Sequence, residues 1–323
     1  MEALRSLDFL YPSLSVVGAA TSLYFLYKTL DAAYFYLRPS SLSRYLHSPS
    51  GGRPWALITG ASDGIGKGFA EELSSQGFNI ILHGRNQTKL EGVRRDLKSR
   101  FPDAEYRIVI LDAVNFDYDG IARIANEVAD LHITVLINNV GGSGPVSPVW
   151  GAVTQRKPSE LDCFIDVNAR FPTHITRALL PKLIATTPSL IINVGSLAGS
   201  TPSAYLTAYS ASKAYNLAWS RSLTAEMHGE GKDVEVLGLL VGGVKAGHDT
   251  WDKTTFFVPG SRDFAKASLA RVGCGKAVVV PYVGHALQLL PLSFLPDGLV
   301  EKGLLANGRG MMKAEVDRLR KAS

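Results

Sequence analysis

Cysteine is scarce, with Cys163 and Cys274 the only two among 323 residues. Two thiols exclude a disulfide framework and a cysteine-built zinc cluster, so a reducing compartment and no metal site are expected. Runs of like charge are missing, as are basic stretches interleaved with aromatics, which argues against a nucleic-acid reader. Internal repeats of the solenoid kind are also lacking. The formal charge of +5 favours anionic partners, nucleotide phosphates or lipid headgroups, without choosing between them. Apolar residues are plentiful, at 46% against 20% charged, which suits a packed globular chain and not a disordered one.

The longest uncharged run lies at the N-terminus, the nineteen residues from Phe9 to Tyr27. A helix of that length just reaches across a hydrocarbon core of about 30 Å. Pro12 falls near its start, where a missing backbone donor is tolerated. Arg5 precedes the run and Lys28, Arg38 and Arg44 follow it, so the positive-inside rule places the rest of the chain in the cytosol. A transmembrane anchor over 1–37 is the expectation. A helix lying in the membrane interface or packed on the domain is an alternative, as is a signal peptide cleaved near Val17–Ala19. Residues 38–53, rich in Ser, Pro and Gly, read as a linker, and 54–323 as the catalytic domain with an apolar C-terminal extension. In that extension, prolines 281, 291 and 296 rule out a second span, leaving a lipid-facing flap or a buried strand and helix. The tail Arg320-Lys321-Ala322-Ser323 has the form of an endoplasmic-reticulum retrieval signal and also of a solvated helix end.

From Trp55 onward, short β-branched runs alternate with helical stretches. Strands are expected at 55–59, 79–83, 106–111, 134–138, 190–194, 234–240 and 277–280. Their unbroken apolarity fits burial on both faces, and the alternation predicts a doubly wound α/β fold with a seven-stranded parallel sheet. After the first strand comes Thr59-Gly60-Ala61-Ser62-Asp63-Gly64-Ile65-Gly66, then a helix. Glycine is needed where the backbone must turn tightly beside a pyrophosphate, and the helix N-terminus supplies amides and dipole to it. Gly60, Ser62, Asp63, Gly64, Ile65 and Gly66 are therefore candidate cofactor-binding residues. At the end of the second strand, Gly84 stands where an NAD-selective site would carry an acid, and Arg85 follows. A guanidinium there suits a 2′-phosphate, so NADPH is expected.

Further along, Tyr209 and Lys213 share one helix face at i and i+4. Reduction of a ketone needs a proton donor at the developing alkoxide, and an adjacent ammonium lowers the phenol pKa. Ser196, after the fifth strand, can hydrogen-bond the substrate oxygen. His248 and His285 are tempting further acids, but packed or solvated histidines explain them as well, and neither receives a role.

The Gly-x-x-x-Gly-x-Gly turn, Asn138-Asn139-Val140-Gly141, Ser196 and the Tyr209–Lys213 pair together resemble the short-chain dehydrogenase/reductase family. The resemblance covers Trp55 to about Val244. It implies that Asn139 borders the adenosine, that Asp112 contacts the adenine and that Val244 lies by the nicotinamide. It further implies that Asn168 completes a proton relay with Lys213, and that Tyr209 and Lys213 also touch the cofactor. More narrowly, NNVG, AYSASKA and the tail segments resemble the membrane-anchored branch of very-long-chain 3-oxoacyl-CoA reductases and 17-beta-hydroxysteroid dehydrogenases. That branch implies an NADPH-dependent reductase on the cytosolic face of the endoplasmic reticulum, acting on a lipophilic ketone, foremost a long 3-oxoacyl-CoA. A hydroxysteroid or specialised-metabolite ketone is the alternative substrate. A membrane-bound scaffold without turnover is the alternative of another class. Family members often pair through the helices bearing Asn168 and Tyr209, so a homodimer is expected. One departure stands out. Val241-Gly242-Gly243-Val244-Lys245-Ala246 lacks the proline and threonine usual after the sixth strand, and Thr250 is a possible substitute for the latter.

Overall fold

The computed structural model describes residues 2–246 and 253–322, with side chains from Ser13 to Ala246 and from Lys253 to Lys321. His248 and Thr250 lie outside the described residues. Two compact units divide at Ser40 and Ser41.

The first unit is one helix, α1 (Glu2–Leu37). Leu14, Val16, Val17, Leu23, Phe25 and Leu26 are all exposed and, at about 100° per residue, they encircle it. Ser13, Ser15, Gly18, Thr21 and Ser22 dilute this apolar surface. Among the described residues, no helix is long and apolar enough to cross a membrane. The spanning helix expected over Phe9–Tyr27 is thus helical but not found as a span, and the side chains of Phe9–Pro12 lie outside the described residues.

The second unit contains seven parallel strands: β1 (Trp55–Ile58), β2 (Asn79–Gly84), β3 (Tyr106–Ile110), β4 (Ile133–Asn138), β5 (Ser189–Val194), β6 (Val234–Leu239) and β7 (Val278–Val279). Their order is β3-β2-β1-β4-β5-β6-β7, as a doubly wound sheet requires. Every residue of β1, β2, β4 and β5 is buried. That is why their apolar runs are continuous and do not alternate. The helices are α2 (Gly64–Ser75), α3 (Gln87–Arg100), α4 (Tyr118–Glu127), α5 (Pro158–Ile165), α6 (Phe171–Ala185), α7 (Thr207–Gly229), α8 (Ser261–Leu269), α9 (Val283–Leu289) and α10 (Asp297–Ala322). Side-chain caps set several starts: Asp63, Asn86 and Asp117 accept from the amides of Gly64, Lys89 and Gly120. Gly77, at φ +100°, turns the chain from α2 into β2. One face of the sheet packs Leu57, Ile81, Leu136 and Ile191 against Phe171 and Leu179 of α6.

In the segment expected as a linker, Leu42 and Tyr45 are buried, whereas Pro49, Ser50, Gly51 and Gly52 are exposed. Tyr45 is fully buried; its hydroxyl donates to Glu235 Oε2 at 2.5 Å and its carbonyl accepts from Thr134. Burial, reinforced by the Glu235 carboxylate, drives the Tyr45 phenol pKa well above its usual value. Arg44 pairs with Asp233 nearby. The apolar C-terminal extension forms a short strand and helix, β7 and α9, with Leu287 exposed on α9 and Leu290, Phe294 and Leu295 exposed beyond it.

Candidate active site

The sheet changes direction between β1 and β4, so the loops leaving their C-terminal ends diverge and leave a crevice. A cleft of about 770 Å³ lies there, reached by Gly60, Ser62, Arg85, Asp112 and Tyr209 among others. Gly60 and Gly64 take φ of +66° and +56°, which a side chain would strain. Gly66 is required for another reason, since a Cβ there would sit 2.2 Å from the Gly60 carbonyl oxygen. Asn139 fixes the turn from the other side, its amide donating to the carbonyls of Thr59 and Gly60 at 3.0 and 3.1 Å. Its contact is thus with the glycine turn. Ile65 is half-buried at the start of α2.

Arg85 reaches the cleft from the end of β2, and no acid stands beside it at Gly84 or Asn86. Asp112, after β3, accepts from the Val114 amide at 3.0 Å while lining the same space. His83 lies beneath them, buried and stacked on Phe171 with ring centroids 5.1 Å apart. Burial pushes its pKa down to about 4, so its ring stays neutral.

At the other end, Tyr209 stands on the first turns of α7 with its ring edge-on to Phe164 at 6.3 Å. Lys213, one turn on, is buried with Nζ 5.9 Å from the Tyr209 ring centroid. Its ammonium donates to the Val194 carbonyl at 3.0 Å. Desolvation pushes its pKa down to about 8. Asn168 sits in a widened π-turn over Asp166–Arg170, a local irregularity frequent at functional sites. Its oxygen accepts from Gly142 N at 2.9 Å, and its nitrogen donates to the carbonyls of Gly142 and Phe164. A Cβ at Gly141 would lie 2.8 Å from both Asn168 Oδ1 and Lys213 Nζ, so the glycine after β4 is what lets these two groups approach. Ser196 caps the short turn after β5, accepting from Ala198 N at 3.1 Å.

The unusual loop after β6 has its own support. His285 is fully buried, accepts from Gly242 N at 3.2 Å through Nδ1, and contacts the Gly243 carbonyl at 2.9 Å through Nε2. The first contact needs an unprotonated Nδ1, so Nε2 carries the hydrogen. A Cβ at Gly242 would lie 2.7 Å from the imidazole. His285 is therefore a packed clamp on the loop. Val244 is buried, and Ala246 comes within 2.9 Å of where a Gly64 Cβ would be, so the loop ends against the glycine turn.

Several wall residues carry no signal in the sequence. Trp150, Met311 and Ala314 line the cleft, the last two from α10, far along the chain from every motif.

A crevice at the switch point of an open parallel sheet, a glycine turn opening onto a helix N-terminus, and a tyrosine–lysine pair beside them define a dinucleotide-dependent oxidoreductase fold. Residues 54–254 match the short chain dehydrogenase family. The chain belongs to that family. It is 36% identical over 220 residues to the very-long-chain 3-oxoacyl-CoA reductase of Podospora anserina, a match covering 68% of this chain and 63% of that protein, less than two thirds of its length. It is 35% identical over 282 residues to the very-long-chain 3-oxoacyl-CoA reductase-like protein of Arabidopsis thaliana, covering 85% of each. A short-chain dehydrogenase from Sphingobium yanoikuyae, solved in complex with NADPH, matches with a TM-score of 0.62 and 25% identity over 78% of this chain and 95% of that one.

A nicotinamide dinucleotide fits the residues present. Gly60 and Gly64, at positive φ, hold a tight turn at the start of α2 that would present backbone amides to phosphates, and Arg85, with no acid at Gly84 or Asn86, lines the cleft at the end of β2.

Proposed function

We propose that the protein is an NADPH-dependent ketoreductase that reduces a long 3-oxoacyl-CoA to the 3-hydroxyacyl-CoA. The observation that carries this reading is the Tyr209–Lys213 pair. Tyr209 faces the cleft, and a buried ammonium stands one turn away with its nitrogen 5.9 Å from the phenol ring. When bound, the nicotinamide supplies the hydride received by the carbonyl carbon. Tyr209 gives its phenolic proton to the oxygen, which becomes the alcohol. The Lys213 ammonium favours the phenolate left behind, lowering the cost of that transfer. Ser196 donates a hydrogen bond to the same oxygen as charge develops on it. Asn168, locked to the Gly142 backbone, holds the loop that lets Lys213 lie beside Gly141 and links the lysine to the relay. Arg85 takes the 2′-phosphate, with Gly60, Ser62, Asp63, Gly64, Ile65, Gly66, Asp112, Asn139 and Val244 forming the rest of the cofactor wall.

We place the enzyme at the endoplasmic-reticulum membrane with its catalytic unit cytosolic, and assign attachment to α1. A helix apolar on every side calls for an apolar surrounding. Exposed Leu287, Leu290, Phe294 and Leu295 add apolar surface on the catalytic unit. Resistance to carbonate extraction, lost on deletion of 1–37, is the expected behaviour. Release of the intact protein by carbonate would refute it. Exposed Ile165 and Tyr215, on α5 and α7, support a homodimer through those helices.

The experiment is NADPH oxidation by detergent-solubilised protein offered a long 3-oxoacyl-CoA, a short one, a 17-ketosteroid and an aromatic ketone. Turnover of the long thioester, reduced about 10²- to 10⁴-fold in Tyr209→Phe with NADPH binding intact, is expected. Preference for another ketone would move the substrate assignment. Unchanged turnover in Tyr209→Phe would remove the mechanism.

A further inference from the structure

The C-terminal helix α10 is polar in composition and contributes almost nothing to the core. Of its described residues only Gly308 and Glu315 are buried. Yet Met311, Ala314, Glu315 and Arg318 all reach the cleft. Positions 308, 311, 315 and 318 follow helical spacing, so one stripe of α10 faces the site, while Leu304, Leu305, Met312 and Val316 are half-buried beside it.

That stripe is fixed to the two loops that frame Tyr209. The Glu315 carboxylate bridges the loop after β4, one oxygen accepting from Val149 N and the other from Trp150 N, both at 2.9 Å. Gly308 lies against the segment before α7, where a Cβ would come within 2.7 Å of the Ala204 carbonyl. Arg309 Nε donates to the Tyr205 hydroxyl at 3.3 Å. Tyr205 is the one non-glycine residue with positive φ among the described residues, at 66°, and its carbonyl accepts from Gly151 N at 2.9 Å. The two loops and the helix thus form one assembly, ending four residues before Tyr209.

We propose that α10 is the substrate-selecting wall of the cleft, with Met311 and Ala314 bounding the channel for the acyl chain and Glu315 acting as the positioning residue that holds the wall against Val149 and Trp150. The inference deepens the ketoreductase reading and rests on it. A helix that touches only the rim loops of a cleft adds little to the fold, and its effect falls on whatever occupies the space it bounds. Met311 suits a chain that must slide past, because its thioether side chain is flexible and repacks readily. A carboxylate is well suited to the clamp, since two backbone donors meet an acceptor with two charged oxygens.

The test uses full-length protein in detergent, with 3-oxostearoyl-CoA and acetoacetyl-CoA as the long and short substrates. Ala314→Trp, at an exposed position that tolerates size, should lower kcat/KM for the long thioester by about tenfold and leave the short one within about twofold. Glu315→Ala should raise KM for the long thioester by about tenfold with little change in kcat, leave NADPH affinity unaltered, and speed hydrogen exchange at the Val149 and Trp150 amides. Glu315→Gln, which keeps one acceptor oxygen, should fall between. Equal losses on both thioesters, or an unchanged long-to-short ratio in Ala314→Trp and Glu315→Ala, would overturn the inference. If the wild type reduces neither thioester but does reduce simple ketones, the acyl-CoA reading fails alone. The same ratios on a long-chain and a short-chain methyl ketone then decide the role of α10. A wild type that reduces no member of either pair sinks both.

Discussion

Replacing Lys213 by methionine should make the protein more stable and nearly inactive. The ammonium is buried, and its pKa falls from the ordinary 10.5 to about 8. At about 1.4 kcal/mol per pKa unit, keeping it charged at neutral pH costs the fold roughly 3 kcal/mol. Methionine is of similar length and carries no charge, so that cost disappears. Against this, the Val194 carbonyl loses its 3.0 Å donor, a penalty of about 1–2 kcal/mol. The net expectation is a gain of about 1–2 kcal/mol at pH 7, read from urea denaturation of the full-length protein in detergent. A pH signature separates this from a generic packing gain. Between pH 8 and 10.5 the folded wild type has lost the lysine proton while the unfolded chain still holds it. The unfolded state therefore binds more protons, and wild-type stability climbs with pH across that window. Lys213→Met has no such climb, so its advantage should shrink from pH 8 upward, vanish near about pH 9 and become a deficit of about 1–2 kcal/mol by about 10.5, where only the lost hydrogen bond to Val194 still counts. Other alkaline groups such as Tyr45 titrate in both proteins and cancel in the difference. A variant that is less stable at pH 7, or an advantage that stays constant to high pH, would refute the reasoning. On the proposed mechanism, turnover should fall to background in the same variant, because the group that burdens the fold is the one assigned to tune Tyr209.

Three other outcomes follow from the geometry. Arg85→Ala should weaken NADPH binding by about tenfold or more while barely changing NADH, by fluorescence titration; equal effects on both would remove the basis for the NADPH assignment. Acid should destabilise the protein through His83. Its folded pKa of about 4 lies below the usual 6.5, so the stability present above pH 6.5 is lost as pH falls toward 4, by up to about 3 kcal/mol, and His83→Leu should flatten that slope. Gly66→Ala places a Cβ 2.2 Å from backbone at Gly60, so cofactor binding should be lost, whereas Gly92→Ala, in open space on α3, should be silent or slightly stabilising in thermal melts.

The chain exposes its sheet plainly because parallel strands buried on both faces must be continuously apolar. The seven strand positions expected from that rule agree with the observed ones to within a residue or two. The glycine turn and the Tyr209–Lys213 pair were legible for a related reason, since their chemistry depends on short spacings within one turn or one helix. The N-terminal run was harder to read. Apolarity establishes that α1 wants an apolar surrounding, but hydroxyls and glycine among those residues leave the described helix short of what a membrane span requires. Within the Ser-, Pro- and Gly-rich segment, the burial of Tyr45 could not be read, because its Glu235 partner lies 190 residues away and leaves no local signature.

By itself, then, the amino-acid order determined what is local: strand and helix type, the glycine turn after β1, and the tyrosine–lysine spacing on one helix face. Tertiary structure decided what requires residues distant in the chain to meet. It set Asn168 and Lys213 on either side of Gly141, locked the altered loop with His285, and laid α10 along the cleft through Glu315 and the amides of Val149 and Trp150. Such contacts depend on how loops leave the ends of a twisted sheet. A carboxylate near the C-terminus looks the same in sequence whether it faces water or bridges two backbone amides at the wall of an active site.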